Sequence, residues 1–149
     1  MRAQRGFTLA ELVMVVALIA VLSAMALPVA KFTVKRSKEA ELRLALRQIR
    51  TAIDEYKRLS DQGLIPVTIG GEGYPENLEV LVEGVELVGQ ETKRKFLRRI
   101  PDDPMTDEDW QLISYQDEPD ATSWGGENVY DVRTTSDGVA LDGTNYADW

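Results

Sequence analysis

The sequence lacks two chemically active residue types, because none of its 149 residues is cysteine or histidine. Without cysteine, no disulfide bond can stabilise the fold. Without histidine, the chain lacks the side chain that most often serves as a general base and as a metal ligand near neutral pH. Together these absences argue against most hydrolase and zinc-binding functions.

Positive charge is scarce in the C-terminal third of the chain. The net charge is −8, and residues 101–149 contain thirteen Asp or Glu but one basic residue, Arg133. Residues 31–60 have the opposite balance, with nine Lys or Arg and four acidic residues. Because the carboxylate-rich region repels phosphates, we expect no nucleic-acid partner. The same region suits either a bound cation or a solvated surface.

A long run without charge lies near the N-terminus. Residues 12–30 are nineteen consecutive uncharged residues, most of them apolar. A helix rises about 1.5 Å per residue, so roughly 20 such residues cross the hydrocarbon core of a bilayer, which is about 30 Å thick. We therefore predict a transmembrane helix segment over residues 7–30. Pro28 lacks a backbone N–H and is expected to kink this helix.

The helical pattern continues beyond the apolar run. Apolar residues recur at spacings of 4, 3, 4 and 3, at Leu42, Leu46, Ile49, Ile53 and Tyr56. This period places them on one stripe of an amphipathic helix, which needs a surface to pack on. Gly63 and Pro66 then end the helix. The sequence predicts one continuous helix from about Phe7 to Ser60, with an amphipathic continuation over residues 31–62.

The residues after this helix predict a short second helix and a small sheet. Residues 109–115 and 128–134 alternate polar and apolar side chains, as antiparallel strands with one buried face do. A short helix is expected between Pro75 and Gly84. The basic residues 93–99 indicate a solvated turn or a segment that pairs with acidic residues of an adjacent subunit, and binding of an anionic lipid or partner is the alternative. The expected fold class is α+β, with the long N-terminal helix packed on a small C-terminal antiparallel sheet.

Glu11 lies near the start of the apolar run, where a carboxylate is unfavourable. An unpaired carboxylate within a membrane helix costs on the order of a few kcal/mol. A secretory signal peptide would explain Arg2, Arg5 and the small residues 24–26 as its charged region and cut site, but it would not explain Glu11. A plain membrane anchor has the same difficulty. We therefore interpret Glu11 as a functional residue that requires a partner.

Residues 6–11, Gly-Phe-Thr-Leu-Ala-Glu, follow a short basic leader and precede the apolar run. They resemble the class III signal of type IV pilins and type II secretion pseudopilins. The resemblance implies that a prepilin peptidase cuts after Gly6, removes the leader 1–6 and N-methylates Phe7, while the apolar segment stays on the protein. Glu11 of one subunit is then expected to pair with the freed amine of Phe7 on its neighbour, which reduces the cost of both charges in lipid.

Four C-terminal stretches extend the resemblance: "FLRRIPDDPMT", "DWQLISYQDEPD", "WGGENVYDVRTTSDG" and "ALDGTNYADW". They are similar to the C-terminal half of G-class major pseudopilins, the principal subunits of the type II secretion pseudopilus. This resemblance implies a structural, non-enzymatic subunit that crosses the inner membrane once and places residues 63–149 in the periplasm. The implied partners are further copies of the chain, minor pseudopilins, the prepilin peptidase, an inner-membrane assembly platform with its cytoplasmic ATPase, and membrane lipid.

The same resemblance implies a calcium ion in the C-terminal loop. Calcium takes about six to eight oxygen ligands, and the tail "TSDGVALDGTNYADW" offers three carboxylates and nearby backbone carbonyls. The implied ligands are Asp137, Asp142, Asp148 and the carbonyl of Leu141. The alternative is that the Asp-Gly pairs at 137–138 and 142–143 form tight turns and that Asp148 is solvated.

Two other functions stay open at the level of sequence. One is a surface type IV pilin for adhesion, motility or DNA uptake, with the same architecture. The other is a Sec-exported soluble calcium-binding protein that begins near Leu27. The distribution of basic residues also opposes the implied topology, because four of them in residues 31–38 outnumber the two in residues 1–6, which by the positive-inside rule favours a cytoplasmic C-terminal side.

Overall fold

The computed structural model describes residues 6–67, 72–90, 92–118, 121 and 123–149. Of the predicted leader, Gly6 lies among the described residues and the rest lies outside them. The chain divides into two compact units, Met1–Ser37 and Lys38–Trp149. Helix α1 (Leu9–Asp61) contributes residues to both units.

Helix α1 is the single continuous helix that the sequence predicts from about residue 7 to residue 60, and it includes Pro28. At its C-terminal end, Gly63 adopts a φ of +71°, a left-handed conformation that glycine tolerates without strain. The N–H of Gly63 donates to the carbonyl of Ser60 (2.9 Å), and the N–H of Leu64 donates to the carbonyl of Leu59 (3.0 Å). The two bonds form a Schellman motif, which satisfies carbonyls that the helix end leaves open.

The first unit contains the apolar part of α1. The described apolar side chains of this part are exposed, including the large residues Val13, Leu18 and Phe32. By length and composition, this part of α1 is apolar enough to cross a membrane. Because water contact costs about 25 cal/mol per Å² of apolar surface, such a segment is stable only where lipid or protein surrounds it.

The core of the second unit forms on the amphipathic stripe of α1. The five predicted stripe residues are all buried, at 0–8% exposure: Leu42, Leu46, Ile49, Ile53 and Tyr56. They share one cluster with Leu81, Trp110, Val129 and Val132 from the rest of the unit. Burying each aliphatic side chain contributes roughly 1.5–3 kcal/mol, so this stripe is the main attachment of α1 to the C-terminal region.

A short helix and a two-stranded sheet follow α1. Helix α2 (Glu79–Glu83) begins later than the prediction from Pro75, and the side-chain oxygen of Asn77 accepts the N–H of Val80 at 3.0 Å.

Strand β1 (Val85–Glu86) pairs antiparallel with β2 (Lys93–Arg94). The start of the basic segment 93–99 is therefore strand, where the sequence predicted only a turn. A strand of two residues is too short to show the alternation of polar and apolar side chains by which a strand is recognised in a sequence.

The second sheet contains the two strands that the sequence predicts. Strand β3 (Gln111–Ile113) pairs antiparallel with β4 (Asp131–Arg133), with Leu112 opposite Val132. Both strands are shorter than predicted. The reason lies at one end of the pair, where the side chain of Asn128 accepts the N–H of Tyr115 (3.0 Å) and the hydroxyl of Ser114 donates to the Asn128 carbonyl (2.9 Å). Side-chain bonds thus take the place of the backbone ladder.

Candidate functional site

The start of α1 carries a reciprocal capping arrangement between Thr8 and Glu11. The hydroxyl of Thr8 accepts a hydrogen bond from the N–H of Glu11 (3.2 Å). In return, Oε2 of Glu11 accepts bonds from the N–H and the hydroxyl of Thr8, each at 3.0 Å. This T-x-x-E pair is a capping box, in which two side chains satisfy backbone donors that a helix start leaves open. The carboxylate also lies at the positive end of the helix dipole.

The capped carboxylate lies at the surface of the chain. Residues 6–12 are all exposed, and Phe7 is 84% accessible. A second copy can therefore approach both Glu11 and the backbone of Phe7 without disturbing a packed core. The cap fixes where the carboxylate lies relative to the helix axis, which pre-organises it for such a contact.

Asp142 lies in a tight turn near the C-terminal end of the sequence. Its Oδ1 accepts bonds from the hydroxyl (2.7 Å) and the N–H (3.0 Å) of Thr144. Its Oδ2 accepts a bond from the guanidinium of Arg43 at 3.2 Å. These partners, the Thr144 hydroxyl above all, lower the pKa of Asp142 from its usual value. The carboxylate is therefore ionised and already engaged on both oxygens.

The other two carboxylates predicted as calcium ligands lie outside the hydrogen bonds that Asp142 makes. Asp148 belongs to a short 3-10 helical turn (Tyr146–Asp148) and accepts a bond from the side-chain amide of Asn145 at 3.2 Å. Asp137 is exposed. Among the described residues, which include all of 123–149, no three acidic side chains are grouped so that they can hold a metal ion.

As placed, the implied ligands do not fit a calcium ion. Calcium needs several oxygens with open lone pairs directed at one point, whereas Asp142 has proton donors on both oxygens and a guanidinium beside one of them. The calcium ligand set of Asp137, Leu141, Asp142 and Asp148 therefore stays a prediction, and no property of the site is derived from it.

The C-terminal segment is instead held by polar residues of α1. Glu39 is 9% exposed, and its Oε1 accepts bonds from the N–H of Leu141 (2.8 Å) and the hydroxyl of Tyr146 (2.9 Å). Burial raises the pKa of Tyr146 to about 12, and the bond to Glu39 adds to this effect. The phenol is therefore a proton donor to Glu39 throughout the physiological range.

Two arginines of α1 add further contacts. The guanidinium of Arg43 lies 4.1 Å from the ring centroid of Trp149 as well as beside Asp142. Arg50 binds the carboxylate of Asp131 at 2.6 and 3.2 Å. It also donates to the carbonyls of Val132 (3.2 Å) and Trp149 (2.6 Å). We call this set the C-terminal clasp: Glu39, Arg43 and Arg50 of α1 with Asp131, Leu141, Asp142, Tyr146 and Trp149.

The N-terminal residues match a known family model. The family model of the prokaryotic N-terminal methylation motif matches residues 1–27. The chain carries a prepilin-like signal. Gly6, Phe7 and Glu11 all lie within the matched range. Such a signal implies processing by a prepilin peptidase and assembly into filaments in general, and it supports a type IV pilin-like subunit.

The match stops before the amphipathic half of α1 and does not separate a pseudopilin from a pilin. No solved structure matches the chain. The α+β arrangement, with a long N-terminal helix and small antiparallel strand pairs, is consistent with a pilin-like fold. The motif and the apolar helix are also consistent with membrane anchoring.

The structure adds residues that the sequence interpretation missed. Thr8 could have been found, because a threonine three residues before a glutamate at the start of an apolar run is the capping-box signal. Glu39, Arg43 and Arg50 could not, because their partners lie 81 to 107 residues away along the chain. No short-range spacing reports such pairs.

Proposed function

We propose that the chain is the major structural subunit of a type II secretion pseudopilus, a role that is structural and not catalytic. The observation that carries the proposal is the exposed carboxylate of Glu11 within a matched N-terminal methylation motif, at the start of a membrane-length helix. A prepilin peptidase cuts after Gly6 and methylates Phe7. The mature helix then begins with a positive amine four residues before Glu11.

The assembly step follows from the cost of charge in an apolar environment. A lone carboxylate and a lone amine are each unfavourable within lipid or within a filament core, whereas a close pair is much less so. The Phe7 amine of one subunit and Glu11 of the next meet when the helices are displaced along their axes. The pair therefore fixes the axial step between subunits, in the same way that a buried polar pair fixes register in a coiled coil.

Two features favour a pseudopilus over a surface pilus. The C-terminal stretches resemble those of G-class major pseudopilins, and the chain has no cysteine with which to close that region by a disulfide. The surface type IV pilin is the second candidate, because the methylation motif supports it equally. In either case the expected partners are further copies of the chain and a membrane-bound assembly machinery.

The proposed location follows from the same reasoning. The apolar part of α1 lies in the inner membrane before assembly, and residues 63–149 lie in the periplasm. An assembly platform with a cytoplasmic ATPase draws subunits from the membrane, and minor pseudopilins accompany the fibre. The acidic C-terminal region, with thirteen carboxylates and one basic residue over 101–149, gives no surface for nucleic acid.

Deletion of the coding gene in the producing organism tests the proposal. We expect folded exoproteins to accumulate in the periplasm and to disappear from the medium, because the pseudopilus that exports them is missing. Surface pili seen by electron microscopy should be unchanged. Complementation with the wild-type gene is the control and should restore export.

The opposite pattern would support the second candidate. Loss of surface pili with normal export would identify a type IV pilin and contradict the pseudopilus. Normal export and normal pili, with the protein recovered as a soluble secreted monomer, would contradict both and leave the Sec-exported alternative.

A further inference from the structure

We propose that the C-terminal segment is closed by the C-terminal clasp of α1, with Arg43 serving as its resident cation, and that it keeps its fold without a divalent metal ion. The inference does not depend on whether the filament is a pseudopilus or a pilus. It rests on the hydrogen bonds that residues of 138–149 already make with the helix and with one another.

The helix side of the clasp lies along one row of α1. Glu39, Arg43 and Arg50 are separated by four and seven residues, which places them on one face of a helix. This row borders the buried stripe, since Leu42, Leu46 and Ile49 lie next to its members and are at most 3% exposed. The contacts of Glu39 and Arg50 therefore form at the edge of a packed interface, where water competes less effectively than at an open surface, whereas the Arg43–Asp142 pair is exposed.

Glu39 is the buried member of the row. A buried carboxylate is costly unless it accepts hydrogen bonds, and Glu39 accepts two, from the backbone of Leu141 and from the phenol of Tyr146. The Tyr146 ring is itself 5% exposed and packs edge-on against Trp149, with 5.2 Å between ring centroids. One helix residue thus holds two points of the segment, five residues apart.

Arg43 supplies the positive charge at the turn. It pairs with Asp142 and also stacks over Trp149. One guanidinium therefore neutralises the turn carboxylate and covers the ring of Trp149. A divalent cation bound to Asp142 would lie next to this guanidinium and would be repelled by it. Because Thr144 and Arg43 donate hydrogen bonds to both oxygens of Asp142, a cation could bind there only by displacing these bonds.

Arg50 joins the segment to the sheet. It is bidentate to Asp131 at the start of β4 and also binds the carbonyls of Val132 and Trp149. Bidentate arginine–carboxylate pairs combine strength with fixed geometry. The clasp therefore connects helix, strand and C-terminal segment by hydrogen bonds, in a chain that has no cysteine for a disulfide.

The first test compares thermal unfolding of the full mature chain in detergent micelles, followed by near-ultraviolet circular dichroism of its Trp and Tyr residues. One sample contains EDTA, one contains calcium chloride, and one contains sodium chloride at matched ionic strength. We expect the same Tm in all three, and no saturable heat when calcium is titrated into the EDTA-stripped protein. A Tm that rises by several degrees with calcium but not with sodium chloride would overturn the proposal.

The second test removes the resident cation. Arg43→Ala should lower the Tm by about 5 °C, since it removes an ion pair and a cation–π contact together. Arg47→Ala is the matched control, because Arg47 is an exposed arginine one turn further along the same row and makes the same charge change. Equal Tm values for the two variants would contradict the role of Arg43.

A milder pair of variants keeps the test decisive if Arg43→Ala does not fold. Arg43→Lys retains the charge but cannot stack its planar group over Trp149, so its Tm should lie between those of the wild type and the Arg43→Ala variant. Glu39→Gln keeps the size and one acceptor oxygen and should shift the near-ultraviolet signal of Trp149 and Tyr146. If both variants unfold like the wild type, the clasp does not close the segment.

Discussion

The carboxylate of Glu11 caps the start of α1, and in the proposed filament it also pairs with a neighbouring Phe7 amine. The two roles make different demands on it. As the third helical residue of a capping box, it needs only an acceptor oxygen for the Thr8 N–H. As the partner of a neighbouring Phe7 amine, it needs a negative charge. Because Gln also serves in capping boxes, substitution separates the two uses.

The Glu11 variants are the first residue-scale prediction. Glu11→Gln should keep the cap and Glu11→Ala should lose it, but both should still be cut after Gly6, and both should assemble poorly because neither carries the charge. Filament yield after processing, measured by shearing or by cross-linking in cells, checks this. Filaments of the Glu11→Gln variant at wild-type yield would contradict the charge pairing and leave only the capping role.

Tyr146 gives a prediction about pH. Its pKa is raised from 10.0 to about 12, chiefly by burial and further by Glu39. A raised folded-state pKa means that the neutral phenol is favoured in the native protein, so the stabilisation is complete below pH 10 and is lost as the pH rises towards 12. The unfolding free energy of the wild type should therefore fall steeply in this window.

Comparison of variants isolates this contribution from other titrating groups. Tyr146→Phe removes the ionising hydroxyl, so its stability should depend less on pH between about 10 and 12 than that of the wild type. Tyr115→Phe makes the same chemical change at a tyrosine that is 57% exposed and should follow the wild type. If the free energy of unfolding from urea titrations depends on pH in the same way for the wild type and for Tyr146→Phe, the pKa of Tyr146 is not raised by its burial.

At the scale of elements, the sequence predicted what local periodicity can report. The 4-3-4-3 spacing of apolar residues correctly gave the buried face of α1, and Gly63 correctly marked its end. Period-two alternation located β3 and β4 but overestimated their length, because Asn128 and Ser114 divert the backbone bonds at one end of the pair. The β1–β2 pair was missed because each strand contributes two residues.

Gly84, which joins α2 to β1, supplies a prediction about these elements. Its φ of +81° and ψ of +160° lie in a region that is almost restricted to glycine. A Cβ at this position would also lie 2.6 Å from the carbonyl oxygen of Arg94 in β2. Gly84→Ala should destabilise the protein by roughly 2–4 kcal/mol, since strain and a backbone clash add together.

Gly89, in the connection between β1 and β2, is the matched control. Its φ is +80°, but nothing lies within 4 Å of a Cβ built there. Gly89→Ala should therefore cost only the conformational term, about 1 kcal/mol. Urea unfolding measures both values, and an equal cost at the two positions would mean that the close approach of β2 to Gly84 has no energetic consequence.

At the scale of the whole molecule, the sequence predicted architecture better than it predicted long-range polar contacts. An apolar run, an amphipathic stripe and two alternating segments are each visible locally, and they suffice for an α+β chain with a membrane-length helix. The C-terminal clasp depends instead on pairs such as Glu39 with Tyr146, which are 107 residues apart. The pair of Arg43 and Asp142 illustrates the same limit, because residue types and spacing do not reveal that the two side chains lie together.

The distribution of charge along the chain also bears on topology. Four basic residues in 31–38 favour a cytoplasmic C-terminal side by the positive-inside rule, opposite to the proposed periplasmic location. Long translocated regions follow this rule weakly, so residues 63–149 can cross despite the count.

The mass of the mature chain is the most direct measurement of the central claim, that α1 stays on the protein as a processed assembly helix. Intact-mass spectrometry of the protein extracted from membranes of producing cells should give residues 7–149 with one added methyl group on Phe7. Recovery of a chain that begins near Leu27 would mean that the helix is discarded, and Glu11 would then have no partner to pair with.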